Sequence, residues 1–142
     1  MLKKFLIRIK GINVLSYLKI VEHYESCLEK YGDGHKGVDW PNLDDLLTRY
    51  KIMSDIFSNS NSKDFTLLDF GCGSGLFLEY MQKNKIDLQY TGLEISEKFY
   101  DLCTKKYPKS SFLRTDILKD GIEKTFDYVI MNGVFTEKLT LT

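Results

Sequence analysis

The sequence predicts an α/β fold, a parallel sheet with flanking helices, preceded by two N-terminal helices. Three observations carry this. After residue 63, short β-type runs alternate with amphipathic segments, the pattern of parallel strands joined by right-handed crossovers. The first such run, in "FTLLDFGCGSG" (Phe65 to Gly75), ends in an acid and a loop with three glycines in five residues. Before residue 58, apolar residues recur at helical spacing instead.

From Ile12 to Tyr31 the residues Val14, Tyr17, Leu18, Val21, Tyr24, Leu28 and Tyr31 form one stripe, so this segment reads as a helix with a single buried face. "GDGHKG", Gly32 to Gly37, breaks it with three glycines. Trp40-Pro41 is an extended step, and Asn42 caps a second helix with Asp44 and Asp45 in its first turn. Leu43, Leu46, Leu47, Tyr50, Met53, Ile56 and Phe57 are its expected inward face. The polar run "SNSNSK", Ser58 to Lys63, is the clearest boundary. It divides an N-terminal helical segment, 1–61, from an α/β segment, 62–142. In the latter Phe65–Phe70, Leu88–Leu93, Ser111–Thr115 and Phe126–Met131 read as strands. Leu76–Lys83 and Glu97–Lys106 read as helices, and Ile117–Lys124 as at best a short helical turn.

Composition sets the outer bounds. The 142 residues, 43% hydrophobic and 28% charged, suit about one domain with a real core. The net charge of zero is uneven: residues 1–20 carry Lys3, Lys4, Arg8, Lys10 and Lys19 and no acid. Such a start can favour a membrane surface or nucleic acid, but a solvated, partly ordered leader is the plainer reading. "MLKKFLIRIKGINVL" is interrupted by Arg8 and Lys10 and lacks a small-residue cleavage site, which argues against a signal peptide. No apolar run is long enough for stable membrane insertion. Cys27, Cys72 and Cys103 are odd in number and lack CxxC spacing. They read as reduced thiols of a cytoplasmic protein, with no metal site.

Three glycines in five residues need a reason, because glycine is costly in regular structure. In parallel α/β sheets ligands bind at the carboxyl ends of the strands, where missing β-carbons let bare backbone approach a bound molecule. Tight strand-to-helix packing is the plainer explanation, but it usually asks for one glycine. The dinucleotide loop runs G-x-G-x-x-G, whereas this one runs G-C-G-S-G with Asp69 two residues ahead. "DFGCGSG" resembles the nucleotide motif of the class I S-adenosylmethionine-dependent methyltransferases, acid-x-G-x-G-x-G, at every fixed position.

The resemblance implies a Rossmann-like sheet, S-adenosylmethionine as cofactor, and a row of binding residues at the strand ends. Asp69, Gly71, Cys72, Gly73 and Gly75 would supply the loop, Asp69 orienting the cofactor directly or through water and Cys72 a small buried side chain. Glu94 and Ile95, in "YTGLEIS" at the second strand tip, match the acid that takes both ribose hydroxyls and its neighbour; a solvated strand-end acid would look alike. Asp116 and Ile117, in "FLRTDIL", match the acid that meets the adenine amino group and the apolar residue that packs on the ring; a helix-capping Asp would look alike. Asn132 opens the turn Asn132-Gly133-Val134-Phe135, which in the family lines the methyl-transfer site. Relatives that methylate base amino groups carry Pro-Pro where this chain has Gly133-Val134. With no basic face, that argues against nucleic acid and for a small-molecule or sugar acceptor.

Methyl transfer from a sulfonium is an in-line displacement with a neutral leaving group, so the protein must align the reactants and, for a hydroxyl or ammonium, remove a proton. The one general-base candidate is His35, in the glycine-flanked loop "GDGHKGVDW" with Trp40 as a candidate cavity wall. A surface histidine is the plainer reading. That loop and "TRYKIM" resemble the leading portion of some bacterial small-molecule and carbohydrate methyltransferases. Arg49 and Tyr50 could reach the cofactor carboxylate, or be a snorkelling Arg and a core Tyr.

The resembled fold has seven strands, and this sequence shows the first four. The expectation is a truncated form with its cofactor half present, its acceptor half mostly missing, and a fourth strand open to self-association. Two rival functions stand beside methyl transfer: an NAD-dependent oxidoreductase, which the glycine spacing disfavours, and a cofactor- or partner-binding module without turnover.

Overall fold

The computed structural model describes residues 14–57 and 64–134. Most of the basic leader, the polar boundary at 58–63 and the chain from Phe135 onward lie outside the described residues. The described chain runs α1 (Val14–Tyr31), α2 (Leu43–Asp55), β1 (Thr66–Phe70), α3 (Leu76–Lys83), β2 (Gln89–Glu94), α4 (Glu97–Lys106), β3 (Ser111–Arg114) and β4 (Tyr128–Met131).

The four strands form one parallel sheet in the order β3-β2-β1-β4. The chain steps outward from β1 to β3, then returns across the sheet to pair β4 with the other side of β1. Strand order therefore reverses at β1, where an open α/β sheet forms its ligand crevice. Asp69 stands level with Gly92 on one side and Ile130 on the other, so the strands end together. Among the described residues the β3-to-β4 connection holds only the expected turn, closed by Lys119 and Asp120 N–H groups donating to the Asp116 carbonyl.

The helices begin where local chemistry starts them. Asn42 Oδ1 accepts the N–H groups of Asp44 and Asp45 at 2.9 and 3.2 Å, the expected cap of α2. Ser96 does the same for α4, accepting from Phe99 N–H at 3.3 Å. The core lies between the sheet and α2 and α3. Leu46, Tyr50 and Phe57 pack there against Leu67, Phe77, Met81, Tyr90 and Ile130, with Tyr50 edge-on to Phe77 at 5.1 Å.

Several expectations need correction. Leu43, Leu47 and Ile56 are 47%, 40% and 53% exposed, so the inward face of α2 is narrower than its apolar residues suggest. The row Leu46, Tyr50, Ser54 turns inward, and Leu47 and Ile56 flank that arc while Leu43 sits in the first turn. The α1 stripe is only half-buried: none of its described residues is fully buried, Tyr31 is exposed, and the one buried residue of the helix among those described is Cys27, outside the stripe. β2 starts one residue later than expected and takes Glu94 into the ladder, β3 stops one earlier, and β4 begins at Tyr128. On β4, Ile130 is buried while its neighbours Val129 and Met131 are about half exposed, as period-two alternation requires. Among the described residues no helix is long and apolar enough to cross a membrane.

Candidate functional site

The loop after β1 is stitched to β2. Gly71 and Cys72 N–H groups both donate to the Leu93 carbonyl, at 2.9 and 3.1 Å. Gly71, Gly73 and Gly75 all have positive φ, at 72°, 56° and 78°, a region costly for residues with a β-carbon. At Gly75, which opens α3, a β-carbon would stand 2.9 Å from the Tyr107 ring. At Gly73 it would meet Val38 at 3.1 Å. The packing explanation therefore holds for Gly75, while Gly73 turns bare backbone toward a cavity wall. The loop is held from below by Cys103 Sγ, which donates to the Gly73 carbonyl at 3.0 Å, and by Lys106 Nζ, which donates to the Ser74 carbonyl at 2.9 Å and to Asp33 at 2.7 Å.

Glu94 ends β2 against this loop. Its Oε2 accepts the Gly73 N–H at 2.9 Å, and its Oε1 accepts those of Ile95 at 3.0 Å and Ser96 at 3.1 Å. Burial raises its pKa above the usual carboxylate value, while the three N–H donors pull it back. Asp69 is buried beside it and accepts the Tyr90 hydroxyl at 2.7 Å. Desolvation pushes the Asp69 carboxyl up to about 7; the Tyr90 bond opposes this shift and the Glu94 charge adds to it. Asp116 accepts the Tyr17 hydroxyl at 2.7 Å and the Leu118 N–H at 3.1 Å, so it also caps the turn that follows it. Gly92, in mid-strand, is a residue sequence reasoning missed. A β-carbon there would lie 2.7 Å from Phe112 and 2.8 Å from Cys72 Sγ, so its bareness lets the buried Cys72 side chain settle.

Above the strand ends lies a cavity of about 590 Å³. It gathers Asp69, Gly71, Cys72 and Gly73 from β1 and its loop, Glu94 and Ile95 from β2, Asp116 and Ile117 after β3, and Asn132 after β4. Gly75 and His35, also expected in the site, are not among its lining residues. His35 Nδ1 instead donates to the Trp40 carbonyl at 2.7 Å, and its own carbonyl accepts the Trp40 N–H, so the histidine closes its loop. Trp40 does form part of the wall and Tyr50 lines the floor. Arg49 lies over the Trp40 ring at 4.7 Å and is absent from the lining. A further wall is α1, through Tyr17, Ile20, Val21 and Tyr24. Its half-buried stripe thus faces a hollow, which is why it looked like a core helix in sequence.

The lining suits a nucleoside with a cationic end. Two carboxylates, Glu94 and Asp69, stand at adjacent strand tips, a third follows on the next strand, and most of the remaining surface is apolar or aromatic. The space that β-carbons at Gly71 and Gly73 would fill lies toward Val134 and Val38, themselves lining residues. The cradle is thus shaped by the missing side chains.

Comparison with known proteins bears on the family and the fold. The methyltransferase-domain family matches residues 68–138. The malonyl-[acyl-carrier protein] O-methyltransferase 1 of Ilyobacter polytropus is 30% identical over 88 residues, covering 57% of this chain and 31% of that protein. The malonyl-[acyl-carrier protein] O-methyltransferase of Priestia megaterium is 24% identical over 88 residues, covering 61% and 32%. The chain therefore spans about a third of the length of these curated relatives. Among solved structures, the plantazolicin methyltransferase BpumL, in complex with a pentazolic desmethylPZN analogue and SAH, shares the fold. The match has a TM-score of 0.50 and 22% identity over 78% of this chain and 48% of that one.

Proposed function

Because the chain belongs to the class I S-adenosylmethionine-dependent methyltransferase family, we propose that its cavity takes S-adenosylmethionine and that the protein methylates a small-molecule or carbohydrate acceptor. The observation that carries this reading is the bond between the Glu94 carboxylate and the Gly73 N–H. It sets the sugar-binding acid and the bare loop side by side at one cavity. Glu94 Oε2 keeps one lone pair for a ribose hydroxyl after the carboxylate's three backbone bonds. Asp116 would accept from the adenine amino group with Ile117 against the ring, and Asn132 would face the methyl-transfer end. Asp69 would orient the cationic part of the cofactor, directly or through water.

When bound, the cofactor supplies a methyl group on a sulfonium, which leaves as a neutral thioether. The protein's own task is then alignment and exclusion of water. The aromatic and aliphatic wall of α1 and Trp40 is suited to both. The related proteins act on a malonyl-acyl-carrier protein and on plantazolicin, so the acceptor is best sought with a panel of small alcohols, amino sugars and malonyl thioesters. Nucleic acid is left out of that panel because Gly133-Val134 replaces Pro-Pro.

Calorimetric titration of the 142-residue protein with S-adenosylhomocysteine tests the reading. Saturable binding, competed by S-adenosylmethionine and not by NADH, is expected. Absence of binding, or a preference for NADH, overturns it. Binding without methyl transfer to any acceptor would favour the module without turnover.

A further inference from the structure

His23 and Cys27 stand four residues apart on α1, so both side chains lie on one face of the helix. Asp39 reaches them from the loop that joins α1 to α2. His23 Nε2 is 2.7 Å from Asp39 Oδ2 and 3.8 Å from Cys27 Sγ. All three ligand atoms lie within 4.8 Å of one another. Asp39 holds this position with φ at 57°, the left-handed region that Asp tolerates better than most residues, and its N–H is fixed to the Lys36 carbonyl at 3.1 Å.

We propose that His23, Cys27 and Asp39 form a binding site for a divalent transition metal of the zinc type, with water as fourth ligand. Tetrahedral coordination at zinc bond lengths separates neighbouring ligand atoms by about 3.3–3.6 Å. The sulfur–nitrogen pair is close to that spacing, and the His23–Asp39 pair must open by about 0.6 Å or slightly more. A thiolate with an imidazole selects zinc or cobalt over magnesium or calcium. Cys27 is buried, while the His23 and Asp39 side chains are over a third exposed, so an ion has a path in from solvent.

The site sits behind the cavity wall and does not line it. Its immediate chain neighbours do: Tyr24 follows His23, and Val38 and Trp40 flank Asp39. A metal there would pin α1 to the 32–40 loop, the two elements that form the outer wall, and so act as a clamp and not as a reacting centre. Sequence reading passed over it because the cysteines lack CxxC spacing. The usable signal was the His-x-x-x-Cys pair at helical spacing.

The test uses the full chain, reduced and stripped with chelator, titrated with cobalt(II) in the absence of cofactor. Expected are one cobalt per chain, visible bands of tetrahedral intensity, and a near-ultraviolet thiolate-to-cobalt band, all lost on displacement by zinc. Cys27→Ser should remove the thiolate band, and His23→Ala should weaken binding at least tenfold. Zinc at a hundredfold excess over its dissociation constant should raise the unfolding midpoint by about 5–10 °C. Pale octahedral spectra, binding without a fixed stoichiometry, or a thiolate band that persists in Cys27→Ser overturns the proposal, leaving an ordinary His–Asp hydrogen bond. If Cys27→Ser fails to fold, His23→Ala, at a half-exposed position, decides. No step depends on cofactor binding, so failure of the methyltransferase reading would leave this result standing.

Discussion

Glu94 accepts the Gly73 N–H at 2.9 Å across the gap between the second strand and the loop that follows the first. The same carboxylate accepts two further N–H groups, from Ile95 and Ser96. It is therefore a structural pin as well as a candidate ribose acceptor, and a variant must be read for both roles.

Glu94→Ala leaves three N–H donors without their acceptor, at least one of them buried. Lost charge-assisted bonds and unsatisfied donors should cost on the order of 2–4 kcal/mol of stability. If Glu94 also grips the ribose, affinity for S-adenosylhomocysteine should fall about tenfold to a hundredfold. Denaturant titration gives the first number and calorimetry on the folded protein the second. Unchanged affinity in a folded variant would remove Glu94 from the cofactor site.

Gly73 and Gly75 should separate binding from folding. Gly75→Ala forces a β-carbon against the Tyr107 ring at a positive φ, outside the cavity lining. It should destabilise by about 1–3 kcal/mol, with the affinity of the folded fraction changed less than about threefold. Gly73→Val places a branched side chain at φ 56° beside Val38, in the cradle itself, and should abolish binding. Equal effects of the two on affinity would mean the loop acts only through folding.

The strands, the capped second helix and the acid-glycine loop were legible because each is written locally: period-two or 3.6 patterning, an Asn before a helical run, a motif of fixed spacing. The cavity wall was not. A helix that lines a hollow and a helix that packs in a core need the same stripe, so Tyr17, Val21 and Tyr24 gave no sign that they face open space. Gly92 looked like an ordinary strand residue, because the crowding that demands glycine comes from Phe112 on a later strand. His35 looked free because the carbonyl that engages it belongs to Trp40, five residues on. Asp39 joins His23 and Cys27 only through the fold of its loop.

Tyr17 tests how the wall is latched. Its hydroxyl donates to Asp116 at 2.7 Å and joins α1 to the end of the third strand. Further ties of α1 to this side run from Glu25 to Ser96 at 2.6 Å and to Lys98, and from Glu29 to Lys98. Tyr17→Phe should leave global unfolding nearly unchanged while amides in the first described turns of α1 exchange roughly three- to tenfold faster. Hydrogen-exchange mass spectrometry reads this directly. Unaltered exchange would mean the apolar wall alone holds the helix.

Asp69 gives the site a pH dependence whose sign follows from its burial. Its carboxyl is raised to about 7 from an ordinary 3.8, so the folded state holds the proton more tightly than the unfolded chain. That contribution to stability is complete below about pH 3.8 and is lost as pH climbs to about 7. Asp69→Asn keeps an acceptor for the Tyr90 hydroxyl and carries no charge at any pH. The stability of Asp69→Asn relative to the natural protein should therefore rise across that window and level off above it, by on the order of 4 kcal/mol in all. Cofactor binding should run the other way. A ligand with a sulfonium and an ammonium favours the ionised carboxylate, so affinity in the natural protein should increase as pH passes about 7 and stay flat in Asp69→Asn. Tyr90→Phe removes the bond that holds the Asp69 value down and should move both transitions to higher pH. Denaturation from pH 4 to 8 and calorimetry from pH 6 to 8 measure the pair. Parallel curves for Asp69→Asn and the natural protein would mean that the buried carboxyl does not titrate in this range.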